Sequence, residues 1–243
     1  MTGALALIGQ TTIPSFGGAS KCVASNGFFC PSWFSDNWSS IFWPALRDHI
    51  ILCVLAVAIG AVISFALAVI AHRYGWITTP VTFVTGLLYT IPSLALFQIL
   101  VPVTGLSVTT TEIALVSYTL LILFRNFLTG LAEVPSEVRE AARGMGLTER
   151  QILTRVEMPL ALPAMVAGLR IATVTVISLA TIAALVGINQ GLGVPIFQSL
   201  QRGPFNTELV GGGLLAIALA IVADGLLVIL QRVLTPWTRA ARS

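Results

Sequence analysis

Charge is what this chain has least of: only 9% of its 243 residues are Asp, Glu, Lys or Arg. A soluble globular domain carries about a quarter charged residues, so this composition cannot build a water-facing surface. Its one lysine, Lys21, lies in FGGASKC. A phosphate-binding loop needs a lysine at the GxxxxGK[ST] spacing, so this chain carries no such loop and any ATP hydrolysis tied to its work is expected in a partner. The two histidines, His49 and His72, sit at opposite ends of one apolar run, which excludes a shared metal, and no cofactor site is expected. No Ser, His and acid constellation falls at one depth, which leaves no hydrolase centre. The net charge of +3 is spread thinly between apolar runs and forms no patch for nucleic acid.

What the chain has in abundance is apolar sequence, 56% of its residues. The mean hydropathy is +0.93. The apolar residues gather in runs close to the ~20 residues that carry a helix across ~30 Å of hydrocarbon. Five such spans are expected, at 50–71, 80–103, 109–127, 163–188 and 209–233. Backbone groups in lipid must pair internally, and continuous runs, unlike the alternating ten-residue strands of a barrel, make these helices. The fold class is therefore an all-α integral membrane protein. Residues 1–49 form a segment outside the membrane domain of 50–243, and their first residues, MTGALALIG, are too short to span and lack the features of a secretory signal.

Arginine placement sets the orientation. With the N-terminus outside, Arg73, Arg125, Arg139, Arg143, Arg150, Arg155, Arg232, Arg239 and Arg242 share the cytoplasmic side, and only Lys21, Arg47 and Arg202 lie opposite. The C-terminal tail is then cytoplasmic, and 135–159 is the main cytoplasmic loop. Trp33, Trp38 and Trp43 read as an interfacial anchor.

That loop reads EVPSEVREAARGMGLTERQILTRVEMPLALP, charged and helix-favouring, interrupted by glycines, with Pro159 and Pro163 at expected helix boundaries. Small Ala141 and Ala142 permit close approach, Gly146 permits a turn, and Glu140, Arg143 and Arg150 supply charge for a polar partner. Glu140-Ala141-Ala142, Gly146 after three residues, then Val156 and Pro159 resemble the EAA loop of bacterial ABC importer permeases, with Met158 where leucine is usual. The resemblance covers 50–233 and implies the five-helix transmembrane domain of a type I importer, similar to the methionine-importer permease. It implies a docking role for Glu140, Ala141, Ala142, Arg143, Gly146 and Pro159 toward a cytoplasmic ATP-binding cassette ATPase. It also implies an extracytoplasmic substrate-binding protein, a second permease copy or a related permease, and residence in the bacterial inner membrane. LLYTIPSLALFQILVPVTG, GLRIATV and ATIAALVGINQGLG resemble permeases for glycine betaine, carnitine and choline; an importer of another small solute such as an amino acid is the alternative. An ion-coupled secondary transporter is disfavoured, since only Asp224 lies well inside a span and no repeated halves are visible.

Several residues are candidates for a path or a structural role. In the second span Thr82, Thr85, Tyr89, Ser93 and Phe97 recur every three or four residues, as do Gly168, Ala172, Thr175 and Ser178 in the fourth. Each stripe is either a translocation lining or a packing seam. Tyr89 and Phe97 offer aromatic faces to a quaternary ammonium. Pro92 permits a kink. Arg170 and Asp224, each about 10–13 Å from the cytoplasmic side at ~1.5 Å per residue, are expected to pair. Cys22 and Cys30 are expected to form a disulfide outside the membrane, and Cys53 to remain a buried thiol.

Overall fold

The computed structural model describes residues 21–201, 203 and 205–236. The segment MTGALALIG, Arg202, Arg239 and Arg242 lie outside the described residues, as does most of the C-terminal tail. Among the described residues every regular element is a helix: α1 (Lys21–Ala24), α2 (Pro31–Asp36), α3 (Trp43–Arg73), α4 (Thr78–Thr90), α5 (Ser93–Thr104), α6 (Val108–Ala132), α7 (Ser136–Gly144), α8 (Glu149–Ile152), α9 (Met158–Ile182), α10 (Gly193–Gln201) and α11 (Asn206–Leu234). Among the described residues four helical stretches are long and apolar enough to cross a membrane, and the bent pair α4 and α5 makes a fifth if counted as one.

The packing rule in these helices is small inside, large outside. Along α3 the buried positions include Ala56, Gly60, Ser64, Ala68 and Ala71, while Val54, Leu55, Ile59 and Val62 face out. Lipid is as apolar as leucine, so helices there associate by close contact, and small residues make that contact. Gly168 is the sharpest case: a Cβ at this position would lie 2.5 Å from the Asn126 side chain of α6. Larger groups such as Phe97, Leu115, Leu123 and Phe124 fill the remaining spaces between α3, α5, α6 and α9. In contrast, α11 buries only Thr207, Glu208, Gly211 and Gly212 in its first turns, while Leu219, Ala220 and Ala223 are partly buried against the core and many of the rest are exposed.

Three boundaries differ from the sequence expectation. The first spanning helix starts at Trp43, with Pro44 in its first turn, ahead of Ile50. The fourth starts at Met158, so Pro159 lies in its first turn but Pro163 lies inside it and ends nothing. The second span is not one kinked helix. It breaks at Ile91 and Pro92 and turns by 95°. The break leaves carbonyls without helical donors, and the Tyr118 hydroxyl of α6 donates to the Ile91 carbonyl.

The tryptophans also differ from a simple anchor. Trp33 lies 4.7 Å from the Phe205 ring and 6.2 Å from Phe42, and Trp38 lies 5.6 Å from Phe34. These two build an aromatic cluster over the ends of α3 and α11, whereas Trp43 stays exposed.

Candidate functional site

The loop from Pro135 to Pro159 is helix, turn, helix. Its first helix, α7, buries Ala142 and exposes Glu137, Glu140, Ala141 and Gly144. The helix ends in a left-handed residue, Gly146, at φ +83°. The Gly146 N–H donates to the Arg143 carbonyl at 2.9 Å, and the Leu147 N–H reaches back to the Ala142 carbonyl at 3.2 Å. Together these are the paired bonds of a Schellman stop, which explains why this position is glycine. Nothing lies within 4 Å of where a Gly146 Cβ would stand, so the demand is on backbone conformation, not on space within the chain.

The second helix begins with a capping box. The Gln151 side chain accepts from the Thr148 N–H at 2.8 Å, and Thr148 Oγ1 accepts from the Gln151 N–H at 3.4 Å. Across the turn, the Arg143 guanidinium donates to both oxygens of Glu149, at 2.7 and 3.2 Å. Those hydrogen bonds raise the Arg143 pKa above its already high ordinary value. A π-helical turn, Leu153–Glu157, then leads into α9. It sits just before Pro159, where the missing N–H interrupts the regular ladder in any case.

Sequence reasoning singled out Glu140, Ala141, Ala142, Arg143, Gly146 and Pro159 here. The structure sets the first five on one exposed elbow, with Ala142 turned inward, and puts Pro159 at the elbow's return to the bundle. It adds Met145, 73% exposed at the tip, and Val138, 39% exposed. With Ala141 these recur at intervals of three and four, a helical apolar edge that the motif spacing does not mark. It also adds Glu157, buried in the π turn beside His72 and Arg139.

The opposite end of the bundle is held differently. Cys22 and Cys30 are joined in a disulfide, and Cys53 is a free, buried thiol. The Cys30 N–H donates to Thr207 at the start of α11, and Asn206 donates two hydrogen bonds to Asn26, from its N–H and from its side-chain amide. Sequence reasoning missed His49, which is fully buried. Its Nδ1 accepts from the Leu192 N–H at 3.2 Å, so the single ring proton is on Nε2, which donates to the Ile177 carbonyl at 3.1 Å. Beside it a cleft of about 220 Å³ is lined by Pro44, Asp48, Asn189, Gln190 and Gln198.

The candidate path residues are not brought onto one face. The 95° break destroys the register between Thr82, Thr85 and Tyr89 on α4 and Ser93 and Phe97 on α5. Thr85 and Phe97 are buried inside the chain, and Thr85 bonds back to the Val81 carbonyl. Tyr89 is 41% exposed and packs edge-on to Tyr118. In α9 the stripe divides: Gly168 and Ala172 are a packing seam, while Ser178 is exposed and Thr175 partly so. Arg170 and Asp224 face each other as a two-pronged pair at 2.7 and 2.9 Å, each side chain about one-third exposed. Glu112 is a second acid inside a spanning helix. Both its carboxylate oxygens are shut from solvent, with no hydrogen-bond partner among the described residues.

The chain is a bundle of spanning helices with a capped helical elbow between the third and fourth. Residues 56–240 match the model of the family described as the binding-protein-dependent transport system inner membrane component, and the chain belongs to that family. It is similar to the osmoprotectant import permease protein OsmW of Salmonella typhimurium, 40% identical over 194 residues, covering 78% of this chain and 89% of that one. It is also similar to the glycine betaine/carnitine/choline transport system permease protein OpuCD of Bacillus subtilis, 32% identical over 205 residues, with 84% and 89% covered. Among solved structures, the inward-facing MetNI methionine ABC transporter shares the fold at a TM-score of 0.72 and 22% identity, over 80% of this chain and 98% of that one. The chain is thus an ABC importer permease of the type I fold.

Proposed function

We propose that this chain forms the membrane path of an ATP-driven importer for quaternary ammonium osmoprotectants, and that a separate ATPase docks on the elbow 140–146. The observation that carries the reading is that elbow. Its backbone is fixed by a Schellman stop and a capping box, yet its outer surface of Glu140, Ala141, Gly144 and Met145 stays exposed. A segment so ordered and so little buried is built to meet another surface. The chain has no phosphate-binding lysine of its own, which fits hydrolysis by the partner. The solute class follows relatives named for osmoprotectant, choline and carnitine transport.

The elbow faces the cytoplasm and the disulfide end faces outside, with 1–49 as an extracytoplasmic segment and 50–243 as the permease domain. Two independent features support this orientation: the arginines cluster with the elbow, and the bridged cysteines belong in an oxidising compartment. A binding protein delivers solute at the disulfide end. A second permease, identical or related, completes the path, and Tyr89, Ser93, Thr175 and Ser178 line it while Thr85 and Phe97 support it from behind.

The test uses the complete complex in vesicles. Internal ATP is expected to drive uptake of glycine betaine, choline or carnitine delivered by the binding protein. Uptake driven by an imposed proton or sodium gradient without nucleotide overturns the reading. Selective uptake of an amino acid with no quaternary ammonium transport overturns the substrate assignment alone.

A further inference from the structure

The elbow returns to the bundle through one buried carboxylate. Glu157 is 6% exposed and lies in the π-helical turn between α8 and α9. Its Oε1 receives His72 Nε2 at 3.3 Å and lies 3.8 Å from Arg139 NH1. His72 is in the last turn of α3, and Arg139 is in the middle of α7. A single oxygen therefore meets the first spanning helix, the docking helix and the lead-in to the fourth span.

We propose that Glu157 is the positioning residue that transmits movement of the docking helix α7 to the first and fourth spans. This rests on the reading that 140–146 meets the ATPase. The contact to Arg139 is at the outer limit of an ion pair. A shift of α7 by an ångström toward the bundle converts it into a close, partly desolvated pair, and the same shift outward leaves the carboxylate with His72 alone. Charge interactions in a partly buried site are steep in distance, so a small displacement changes the energy of the junction more than an apolar contact would. The rest of the elbow has little else to push with: Ala142 is the only buried residue of α7, and Ile152 the only one of α8. The irregular turn adds compliance, because its backbone is already off the standard helical ladder.

Glu157→Gln keeps the shape and removes the charge. In the reconstituted complex it is expected to leave ATPase binding unchanged and to lower solute imported per ATP about tenfold, the scale of a lost coupling contact. Arg139→Gln removes one arm from a side chain that is 29% exposed, so it tests the same link without leaving a buried group unpaired. It is expected to cut the ratio in the same direction, and the exchange Arg139→Glu with Glu157→Arg to recover part of it. A normal import ratio in Arg139→Gln, with the ATPase bound, overturns this inference and leaves the docking reading intact. Loss of ATPase binding in no elbow variant, Gly146→Val included, overturns the docking reading first. Poor assembly of Glu157→Gln combined with a normal ratio in Arg139→Gln assigns Glu157 a structural role only and also overturns the proposal.

Discussion

The two ends of the bundle are held together by opposite chemistry. At the disulfide end the contacts that join separate elements include a covalent bridge, Cys22–Cys30, His49 with a donor and an acceptor in place, and a cluster of aromatic rings, with the Arg47–Asp48 ion pair confined to α3. At the elbow end they are charges, Arg143 with Glu149 in the open and Arg139 with Glu157 beneath, where His72 also meets the carboxylate. Neutral directional bonds hold one geometry and are indifferent to salt. The solvated Arg143–Glu149 pair costs little to separate, while the partly buried Arg139–Glu157 pair is steep in distance. On the proposed reading one end is an anchor and the other a contact that works by changing.

Five variants test that contrast. Gly146→Val places a β-branched residue at φ +83°, a strain of roughly 1–3 kcal/mol confined to the elbow. Uptake is expected to fall more than about tenfold, with normal membrane insertion, whereas Gly146→Asn, which tolerates the left-handed region, retains most of it. ATPase pull-down and uptake are measured together; normal transport by the valine variant makes the elbow a mere connector. At the anchor, replacing Cys22 and Cys30 with serine opens a short loop and is expected to cost about 2–3 kcal/mol. The melting temperature of the purified permease falls, and its affinity for the ATPase does not change.

His49→Leu strips the acceptor from the buried Leu192 N–H, a penalty of about 1–3 kcal/mol. It is again read as thermal stability, with no change in ATPase binding; a stability loss that disappears at high salt contradicts a neutral anchor. The smallest effect belongs to Glu140→Lys, a reversal of one exposed charge. ATPase association weakens a few-fold at low ionic strength and converges on the parent value near 1 M salt, where the screening length is about 3 Å.

Much of this architecture is written in the chain. Apolar runs of spanning length mark the helices, and depth along a straight helix is simple arithmetic, which is why Arg170 and Asp224 can be matched from sequence and stand opposite each other in the structure. The elbow is legible because its glycine, its flanking Pro159 and its charges are local. What is not legible depends on partners far away in sequence. Pro92 announces a lost donor, but the size of the bend depends on what receives the freed carbonyl, and Tyr118 lies on another helix. The polar stripe across Thr85, Tyr89, Ser93 and Phe97 presumes one helical phase, which ends at the break. His49 gives no sequence signal, since its two backbone partners come from Ile177 and Leu192.

The bonds between Asn26 and Asn206 join residues 180 apart in the chain. Ribosomes deliver a membrane protein from its N-terminus, so the small helices made first must wait for the last span before their polar backbone is satisfied. Until α11 emerges, Asn26 lacks the Asn206 amide and the Cys30 N–H lacks Thr207. A chain truncated before α11 therefore displays an unfinished N-terminal cap. The first described helices thus reach their full set of partners only when α11 is in place.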